Sequence, residues 1–447
     1  MKLRDENSKR TVLRVAIIAA AFLMVAAGVL LFIFRDRIFE RGIKPDAARA
    51  VPTEKMLTAA EAGGYRPDLQ MRRVTKLLIA DSATSPYILS WYLLPGQLQS
   101  MIPAQSAYVD VTDQVLLMRV YIARGDRKAA KKLSDSIAID FSDGNGGLLG
   151  TRPIEEIERL DEEAPAAAYA PELEPEDRVT GTSLEAECAY LRALLEYTGR
   201  WGGTEEWERI RALAGAIYQP ESGFINDHVI VPDPKSEWIV GLVDYEEYLA
   251  EMAIEPETYH AMKLCALDLR ALEILAAADA TYAPMFERAQ QIVLEGKISA
   301  EVPLFALAYS GAQGEYIYFS GQETRADAVS SLRTMLHLSE VGALPRESLS
   351  WIREQIFNVG YIYAQYDIVT GTAASEVEAT EAYGLILLIA AAEGDNDLYG
   401  RTLTRLSRSL ATLDTSPARY MIFRKAGERR NLTTAADNLS VLLAMTG

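Results

Sequence analysis

Cysteine and histidine are scarce in this sequence. Its 447 residues include two cysteines, Cys188 and Cys265, and three histidines. Two cysteines cannot form the several crosslinks of a disulfide-stapled domain, and both lie in apolar helical patterns that predict buried thiols. The shortage also argues against a zinc site, and no aspartate-rich metal motif occurs. We therefore expect neither a metal nor another cofactor.

Positive charge is also in short supply. The chain has 45 basic and 63 acidic residues, which gives a net charge of −18. Such an acidic surface repels phosphate backbones, so nucleic acid is excluded as a partner. The hydrophobic fraction of 49% is ordinary for a protein with a large packed core.

One long apolar run is present at the amino end. Residues 15–34 read "VAIIAAAFLMVAAGVLLFIF", and ~20 apolar residues span a bilayer as a helix. The run is too long for a cleaved signal peptide and predicts a signal anchor. Five basic residues precede it and four follow, which narrowly favours a cytoplasmic tail at 1–14. The expected arrangement is a single-pass protein of the cell membrane, with a linker at 35–65 and an extracellular domain at 66–447.

Six segments share one pattern, a polar, acid-bearing start followed by an apolar run with many small residues. They begin near Asp110, Gly181, Glu255, Gly321, Ser375 and Thr434. Helices that are apolar nearly all round are buried on every side. More charged, amphipathic helices alternate with them, the first within residues 68–82.

Six buried and six half-wet helices predict an all-α, (α/α)6 double ring. The buried helices form its inner circle, and their polar starts converge at one end. Short strand-like pieces, punctuated by Gly and Asn, follow several outer helices and are expected at the cavity mouth. Residues 160–177, rich in Ala, Pro and acids, predict a surface loop.

Three stretches resemble, in the same order, motifs of glycoside hydrolase family 8. "VTDQVLLMRVYIARGD", which follows Trp91, is similar to the family's Ser-Glu-Gly-Gln helix. "SLEAECAYLRALLEYTGRWG" is similar to its Ala-Thr-Asp-Ala-Asp helix, with Glu185 and Glu187 at the two aspartates. "YFSGQETR" resembles its Tyr-Asp-x-x-Arg stretch, with Arg325 at the arginine. The resemblance, which extends to the related families 48 and 126, implies a six-hairpin toroid that hydrolyses glycosidic bonds.

The resemblance implies three catalytic carboxylates. A gapless match places Thr112 at the family's general acid, with Asp113 next to it, and Gln322 at the family's base, with Glu323 next to it. Glu185 falls in the sugar subsite. Glycoside hydrolysis requires one protonated and one ionised carboxyl beside the bond, so Asp113, Glu185 and Glu323 are the candidates. Each of them also fits a structural role, since acids at helix starts complement the helix dipole.

Further residues are candidates for substrate binding. Trp91 and Tyr92 could stack on a sugar ring, or pack as an apolar pair. Glu187 and Arg325 fall at subsite positions of the family motifs, although Glu187 also fits the ring wall and Arg325 a buried ion pair. Tyr259 stands at the start of the third predicted inner helix.

Two functions remain open on these grounds. The first is a membrane-anchored extracellular glycosidase that acts on a polysaccharide or oligosaccharide by acid and base carboxylates. The second is a catalytically inactive toroid that binds a glycan or a partner in a polysaccharide synthesis or export assembly. Two carboxylates facing one open cleft would favour the first.

Overall fold

The computed structural model describes residues 45–47, 49–77, 87–93, 106, 108–144, 146–153, 183–219, 223–224, 228–230, 259–318, 325–425 and 431–446. The predicted anchor at 15–34 and the predicted loop at 160–177 lie outside these ranges. Within them, no helix has both the length and the apolar character needed to cross a bilayer.

The described part of the chain is mainly helical. Its α-helices are α1 (Glu54–Ala62), α2 (Pro67–Leu77), α3 (Val111–Arg124), α4 (Arg127–Asp140), α5 (Leu184–Trp201), α6 (Thr204–Ile217), α7 (Leu269–Ala278), α8 (Ala283–Glu295), α9 (Ala328–Glu340), α10 (Arg346–Glu354), α11 (Thr380–Glu393), α12 (Asn396–Leu406) and α13 (Ala435–Ala444).

The odd-numbered helices from α3 to α13 form a closed inner ring. Each packs against the next in this order, and α13 packs against α3. α11 shows why the pattern is apolar all round, because residues on every side of it are buried. A Cβ atom at Gly384 would overlap the Oγ of Ser440, so this glycine lets α11 and α13 approach closely. The six buried helices predicted from the sequence are therefore confirmed as a ring.

The even-numbered helices form the outer layer. α4, α6, α8 and α12 each pack on the inner helix that precedes them, and α2 packs on α13. α10 continues into a π-helical turn, Gln355–Val359, that packs against α12. Alternation of inner and outer helices along the chain places all inner helices parallel, so their starts lie at one end. That end is called the mouth below, and the opposite end the floor.

Short strands lie at the mouth. They are β1 (Trp91–Leu93), β2 (Tyr108–Asp110), β3 (Thr151–Pro153), β4 (Tyr218–Gln219), β5 (Gly223–Phe224), β6 (His228–Ile230), β7 (Tyr259–Lys263), β8 (Ala308–Ser310), β9 (Glu315–Ile317), β10 (Arg325–Asp327), β11 (Gln365–Asp367), β12 (Arg424–Lys425) and β13 (Asn431–Thr434). β2, β10 and β13 lead directly into α3, α9 and α13. The sheets run β1-β13-β12, β2-β3, β4-β5, β6-β7-β8-β9 and β10-β11, as the predicted strand-like pieces at the mouth require.

Side-chain caps start five of the six inner helices. In each case an oxygen of the cap accepts a hydrogen bond from a backbone amide of the first turn, which has no partner within the helix. The caps are Asp110, Ser183, Asp268, Asp327 and Thr434. Because these residues satisfy the amides, the acids that follow them in the first turn are not needed as caps.

The third predicted inner helix is wrong in its first half. The expected start at Glu255 lies outside the described residues, and Tyr259–Lys263 forms β7 between β6 and β8. α7 begins only at Leu269, where Asp268 accepts a hydrogen bond from the amide of Ala271. Neighbouring strands satisfy the backbone of β7, and this overrides the helical pattern of the sequence.

Two other predicted inner helices begin later than expected, and one outer helix ends earlier. The segment from Gly321 becomes helical at Ala328, and the segment from Ser375 at Thr380. The amphipathic pattern from Pro345 through Gln365 also predicts an outer helix, but the helix ends with the π turn at Val359, where Gly360 adopts a φ of 90°. Left-handed backbone at a glycine is a common helix stop.

The predicted linker at 35–65 contains part of the folded domain. α1 packs against α12, and its Met56 and Ala60 are buried. Upstream, the Arg49 guanidinium donates hydrogen bonds to the carbonyl oxygens of Leu443, at 2.7 Å, and Thr446, just beyond α13. These carbonyls have no partner within the helix, so Arg49 closes the end of α13. The expected domain boundary at residue 66 is therefore wrong, and the domain starts before residue 49.

Candidate functional site

Charged side chains from several inner helices meet at the mouth. We call six of them the mouth network, because ion pairs join them into one chain. They are Glu185 on α5, Lys263 on β7, Arg333 on α9, Glu381 on α11, Arg424 on β12 and Asp437 on α13. Asp113 on α3 stands beside the network without an ion pair of its own among the described residues.

Arg333 is the centre of the network. Its Nη1 donates a hydrogen bond to Oε1 of Glu185, and its Nη2 donates one to Oε1 of Glu381 at 2.6 Å. Arg333 lies in the second turn of α9, and the two carboxylates lie in the first turns of α5 and α11. One guanidinium therefore bridges acids from two helices that are not neighbours in the ring.

Two further cations reach the outer oxygens of these carboxylates. Lys263 Nζ lies 3.7 Å from Oε2 of Glu185, and Arg424 Nη2 lies 3.7 Å from Oε2 of Glu381. Arg424 also binds both carboxylate oxygens of Asp437 at 2.8 Å, in a bidentate pair. Positive and negative side chains therefore alternate along the network.

The ionised state of the two glutamates follows from these contacts. Burial on its own would raise the pKa of Glu185, but the charges of Lys263 and Arg333 outweigh it, and the pKa is lowered. Burial likewise opposes the charges of Arg333 and Arg424 at Glu381, whose pKa is also lowered. Both glutamates are carboxylates at neutral pH.

Asp113 has the opposite electrostatic environment. Its residue is 8% exposed. Burial raises the pKa of Asp113 well above its ordinary value, and the charges of Asp110 and Glu381 raise it further, whereas the Ser90 hydroxyl and Arg333 lower it. The mouth thus combines a carboxyl that resists ionisation with two carboxylates that are held ionised.

Thr112, which falls at the family's general acid, has a structural contact instead. Its hydroxyl donates a hydrogen bond to Oδ1 of Asp110 at 2.6 Å, and its backbone amide donates to the same oxygen. Asp113 is therefore the acid on α3 that stands beside the mouth network, and its role as a general acid stays a prediction.

Glu187 does not fit the predicted binding role. Its side chain is fully buried, and its Oε1 accepts a hydrogen bond from the backbone amide of Leu148 at 3.2 Å. It lies in the wall between α5 and the chain that follows α4. One turn of α5 thus sends Glu185 into the mouth and Glu187 into the protein interior.

Of the other predicted residues, those that the structure describes are scattered around the mouth. Arg325 lies on β10 and donates a hydrogen bond from Nη1 to Oε1 of Gln365 at 2.6 Å, which ties β10 to β11. Trp91 and Tyr92 are half-buried on β1, directly after the Ser90 that contacts Asp113. Tyr259 belongs to β7 and not to a helix start, and Glu323 lies outside the described residues.

A second group of polar and charged side chains lies deeper in the ring, around the late start of α7. We call it the buried cluster, and its members are Arg119, Arg192, Glu196, Asp268, His337 and Glu340. Arg192 binds Glu196 at 2.8 Å, Asp268 at 3.0 Å and Glu340 at 2.8 Å, and Arg119 binds Glu196 at 2.9 Å. The Arg192 side chain is 1% exposed, so water and ligands do not reach it.

Part of this cluster has the spacing of a metal site. Ligand atoms of Asp268, His337 and Glu340 lie within 4.8 Å of one another. However, the guanidinium of Arg192 already bonds both carboxylates. A divalent cation would meet that positive charge at close range in a buried environment. The residues present therefore fit an arginine better than a metal ion.

Several members of the mouth network were not identified from the sequence. Arg333 is a lone arginine inside an apolar helix, which is a signal that could have been used. Glu381 follows the expected helix start by six residues, and the correct start at Thr380 places it in the first turn. Lys263 and Arg424 lie on short strands, and only the closed ring brings them to the acids.

Comparison with known proteins shows the fold. No protein-family model and no curated protein matches the sequence. A solved structure described as a novel alpha-amylase from Clostridium perfringens is 18% identical, with a TM-score of 0.59 over 85% of this chain and 97% of that one. A beta-1,3-1,4-glucanase from Paenibacillus sp. X4 is 13% identical, with a TM-score of 0.53 over 90% and 96%. PssZ from Listeria monocytogenes is 11% identical, with a TM-score of 0.51 over 86% and 96%. The chain thus has a divergent six-hairpin glycosidase fold, as its resemblance to glycoside hydrolase family 8 implied.

Proposed function

We propose that this chain is a membrane-tethered glycoside hydrolase-like protein that cleaves a polysaccharide or oligosaccharide outside the cell. The observation that carries the proposal is the contrast in pKa at the mouth, raised for Asp113 and lowered for Glu185 and Glu381. Environments that push carboxyl pKa values apart are a mark of acid and base pairs. Hydrolysis of a glycosidic bond, the reaction that we infer from the glycosidase fold, uses such a pair.

The roles follow from the charge states. Asp113 holds a proton and donates it to the oxygen of the glycosidic bond as that bond breaks. Glu381 is the ionised partner, because its charge is among those that raise the pKa of Asp113. It activates the attacking water or stabilises the developing positive charge on the sugar. Glu185 acts from the other side of Arg333, where it keeps the guanidinium in place.

The tether is the second part of the proposal. The apolar run at 15–34 and the acidity of the rest of the chain support it. Ala47 lies against Gly199 near the end of α5, and Arg49 bonds the end of α13. The chain therefore enters the fold at the floor. A tether attached there directs the mouth away from the membrane.

The tether is tested by proteolysis of intact cells. Protease added outside should cut between the anchor and the fold, at residues 35–44, and release a fragment that contains α1 and the toroid. A domain that stays protected until the cells are opened would refute the extracellular location.

Two observations favour the alternative of a catalytically inactive, glycan-binding toroid. Arg333 ties up one oxygen of each ionised glutamate, and Thr112 replaces the family's glutamic acid. Such a toroid would hold a glycan for a synthesis or export assembly without cleaving it. The difference between the two functions is turnover.

The deciding experiment measures binding and cleavage together. The full chain in detergent is incubated with α-glucan, mixed-linkage β-glucan and xylan, the first two chosen from the activities named for the similar structures. Release of reducing ends by the wild type, lost in Asp113→Asn, supports the hydrolase. Binding of a glycan without release of reducing ends supports the inactive toroid. Neither binding nor cleavage across a broad glycan panel contradicts both.

A further inference from the structure

A shallow pocket opens on the outer side of α11. We call it the rim pocket, and its lining residues are Tyr361, Tyr363, Glu376, Glu378 and Arg405. Glu381 faces the mouth network, whereas Tyr383, two residues later and so on the opposite side of the helix, bonds Glu378 and Arg405. α11 therefore separates the rim pocket from the mouth.

The aromatic side of the pocket is rigid. The hydroxyl groups of Tyr361 and Tyr363 are hydrogen-bonded to each other at 2.7 Å, and their rings meet edge to face with centroids 4.8 Å apart. Tyr363 is backed by Tyr366, which in turn meets Trp351 edge to face. Rings held in this way offer apolar ring faces at little cost in conformational entropy.

The polar side of the pocket is also preorganised. Arg405 donates hydrogen bonds to Glu378 and to the Tyr383 hydroxyl, and its guanidinium lies 5.6 Å from the centre of the Tyr361 ring. Tyr383 is buried, while the Glu378 side chain is 34% exposed. Hydrogen-bond donors and acceptors therefore surround the aromatic surface at fixed positions.

We propose that the rim pocket is a second glycan-binding site, which holds one sugar unit that carries no negative charge. An apolar ring face beside fixed polar groups matches a sugar, which has one apolar face and a rim of hydroxyl groups. Two glutamates and one arginine give the pocket a net negative charge, so neutral and amino sugars fit and uronic acids do not. The choice of a glycan as ligand rests on the proposed function, but the site requires no cleavage at the mouth.

Calorimetric titration of the full chain in detergent tests the site. The probes are maltohexaose and cellohexaose, which are neutral, a chitosan hexamer, which is cationic, and a galacturonate hexamer, which is anionic. We expect the double change Tyr361→Ala, Tyr363→Ala to weaken binding of a neutral or cationic probe at least tenfold. Asp113→Asn should leave that binding within twofold while it abolishes any turnover.

A second variant guards against misfolding of the double mutant. Glu376 is exposed, so Glu376→Lys should fold and should weaken binding of the chitosan hexamer at least fivefold. Glu301→Lys makes the same charge change at another exposed position and should leave binding unchanged. Rim binding by a protein that shows no turnover would support this site and contradict the hydrolase.

Three results would overturn the rim site. The first is a wild type that binds none of the neutral or cationic probes, or prefers the galacturonate hexamer. The second is unchanged affinity in a folded Tyr361→Ala, Tyr363→Ala protein and in Glu376→Lys. The third is a loss of all binding in Asp113→Asn, which would place the ligand at the mouth.

Discussion

The mouth network and the buried cluster are built from the same residue types, yet they differ in access to solvent. Both contain an arginine that bridges carboxylates from different inner helices. The bridging side chain is 31% exposed in Arg333 and 1% exposed in Arg192. Glu185 of the mouth network and Arg192 of the buried cluster both lie on α5, seven residues apart. Charge bridging alone therefore does not identify a functional site, and access to solvent is what makes the mouth network the candidate.

The difference has an energetic meaning. The ion pairs of Arg333, whose side chain is partly exposed, are partly screened by water and contribute little to the free energy of unfolding. A buried charge that loses its partner is strongly destabilising, because water cannot replace the partner. Variants at the mouth should therefore change function, and variants in the buried cluster should change stability.

The largest effect is expected from Asp113→Asn on activity. Asparagine keeps the shape of the side chain but cannot donate a proton as an acid. Removal of a general acid typically lowers the rate ~100- to 10,000-fold. The measurement is the initial rate of reducing-end release on whichever glycan the wild type cleaves. The exposed Asp397→Asn is the matched control and should retain the wild-type rate. Wild-type activity in Asp113→Asn would remove this residue from the mechanism.

The next largest effect is expected from Arg192→Met on stability. The change leaves Glu196, Asp268 and Glu340 without their shared partner, and breaking a buried network of this kind costs about 3–5 kcal/mol. Urea denaturation of the full chain in detergent measures the loss. Arg333→Gln at the mouth is the comparison and should cost about 1 kcal/mol or less. Equal losses of stability in the two variants would show that solvent access does not distinguish the mouth network from the buried cluster.

The free energy of unfolding should also depend on pH with opposite sign for Asp268 in the buried cluster and for Asp113 at the mouth. The charge of Arg192 outweighs burial and lowers the pKa of Asp268 to about 2. Its contribution is present above pH 4 and is lost as the pH falls towards 2, on the order of 2 kcal/mol. The pKa of Asp113 is raised, so this carboxyl costs no stability below pH 4, and its cost grows as the pH rises above the unfolded pKa and levels off above the folded pKa.

Unfolding free energies from pH 2 to 8 check these signs. The wild type should lose stability between pH 4 and pH 2 more steeply than Asp268→Asn. Asp113→Asn should be more stable than the wild type at pH 7 and equal to it near pH 3. A stability profile for Asp113→Asn that parallels the wild type at every pH would contradict the raised pKa.

The sequence predicted the acids of the mouth better than its cations. Asp113 and Glu185 stand in the first turns of strongly apolar helices, and that pattern can be recognised in the sequence without knowledge of the fold. Arg333 occupies a second turn, and Lys263 lies on a strand that the helical pattern concealed. These cations lie close to the acids only because the ring closes and distant segments pair as strands. The local periodicity of the sequence does not predict either event.

The extent of the domain was underestimated for a related reason. Arg49 stands in a stretch with little periodicity, and its hydrogen bonds to the end of α13 join residues almost 400 positions apart in the chain. α1 is short, and its packing on α12 could not be derived from its own sequence. The prediction of the ring and the misplaced domain boundary therefore have one cause. Only the long periodic helices show in their own sequence how they pack in the fold.

The smallest effect is expected from Glu185→Gln, which tests how the acids of the mouth divide between binding and structure. Glutamine keeps the shape of the side chain and removes the charge that holds Arg333 and Lys263. Loss of such pairs should cost about 0.2–1 kcal/mol of unfolding free energy. Glycan binding or turnover should fall clearly, because Arg333 loses one of its two anchors. The stability comes from urea denaturation, and the affinity from titration with the cleaved or bound glycan. Asp397→Asn, which removes one exposed charge in the first turn of α12, is the control and should leave affinity unchanged. Intact function with a stability loss at the upper end of that range would leave Glu185 as a helix-start carboxylate only.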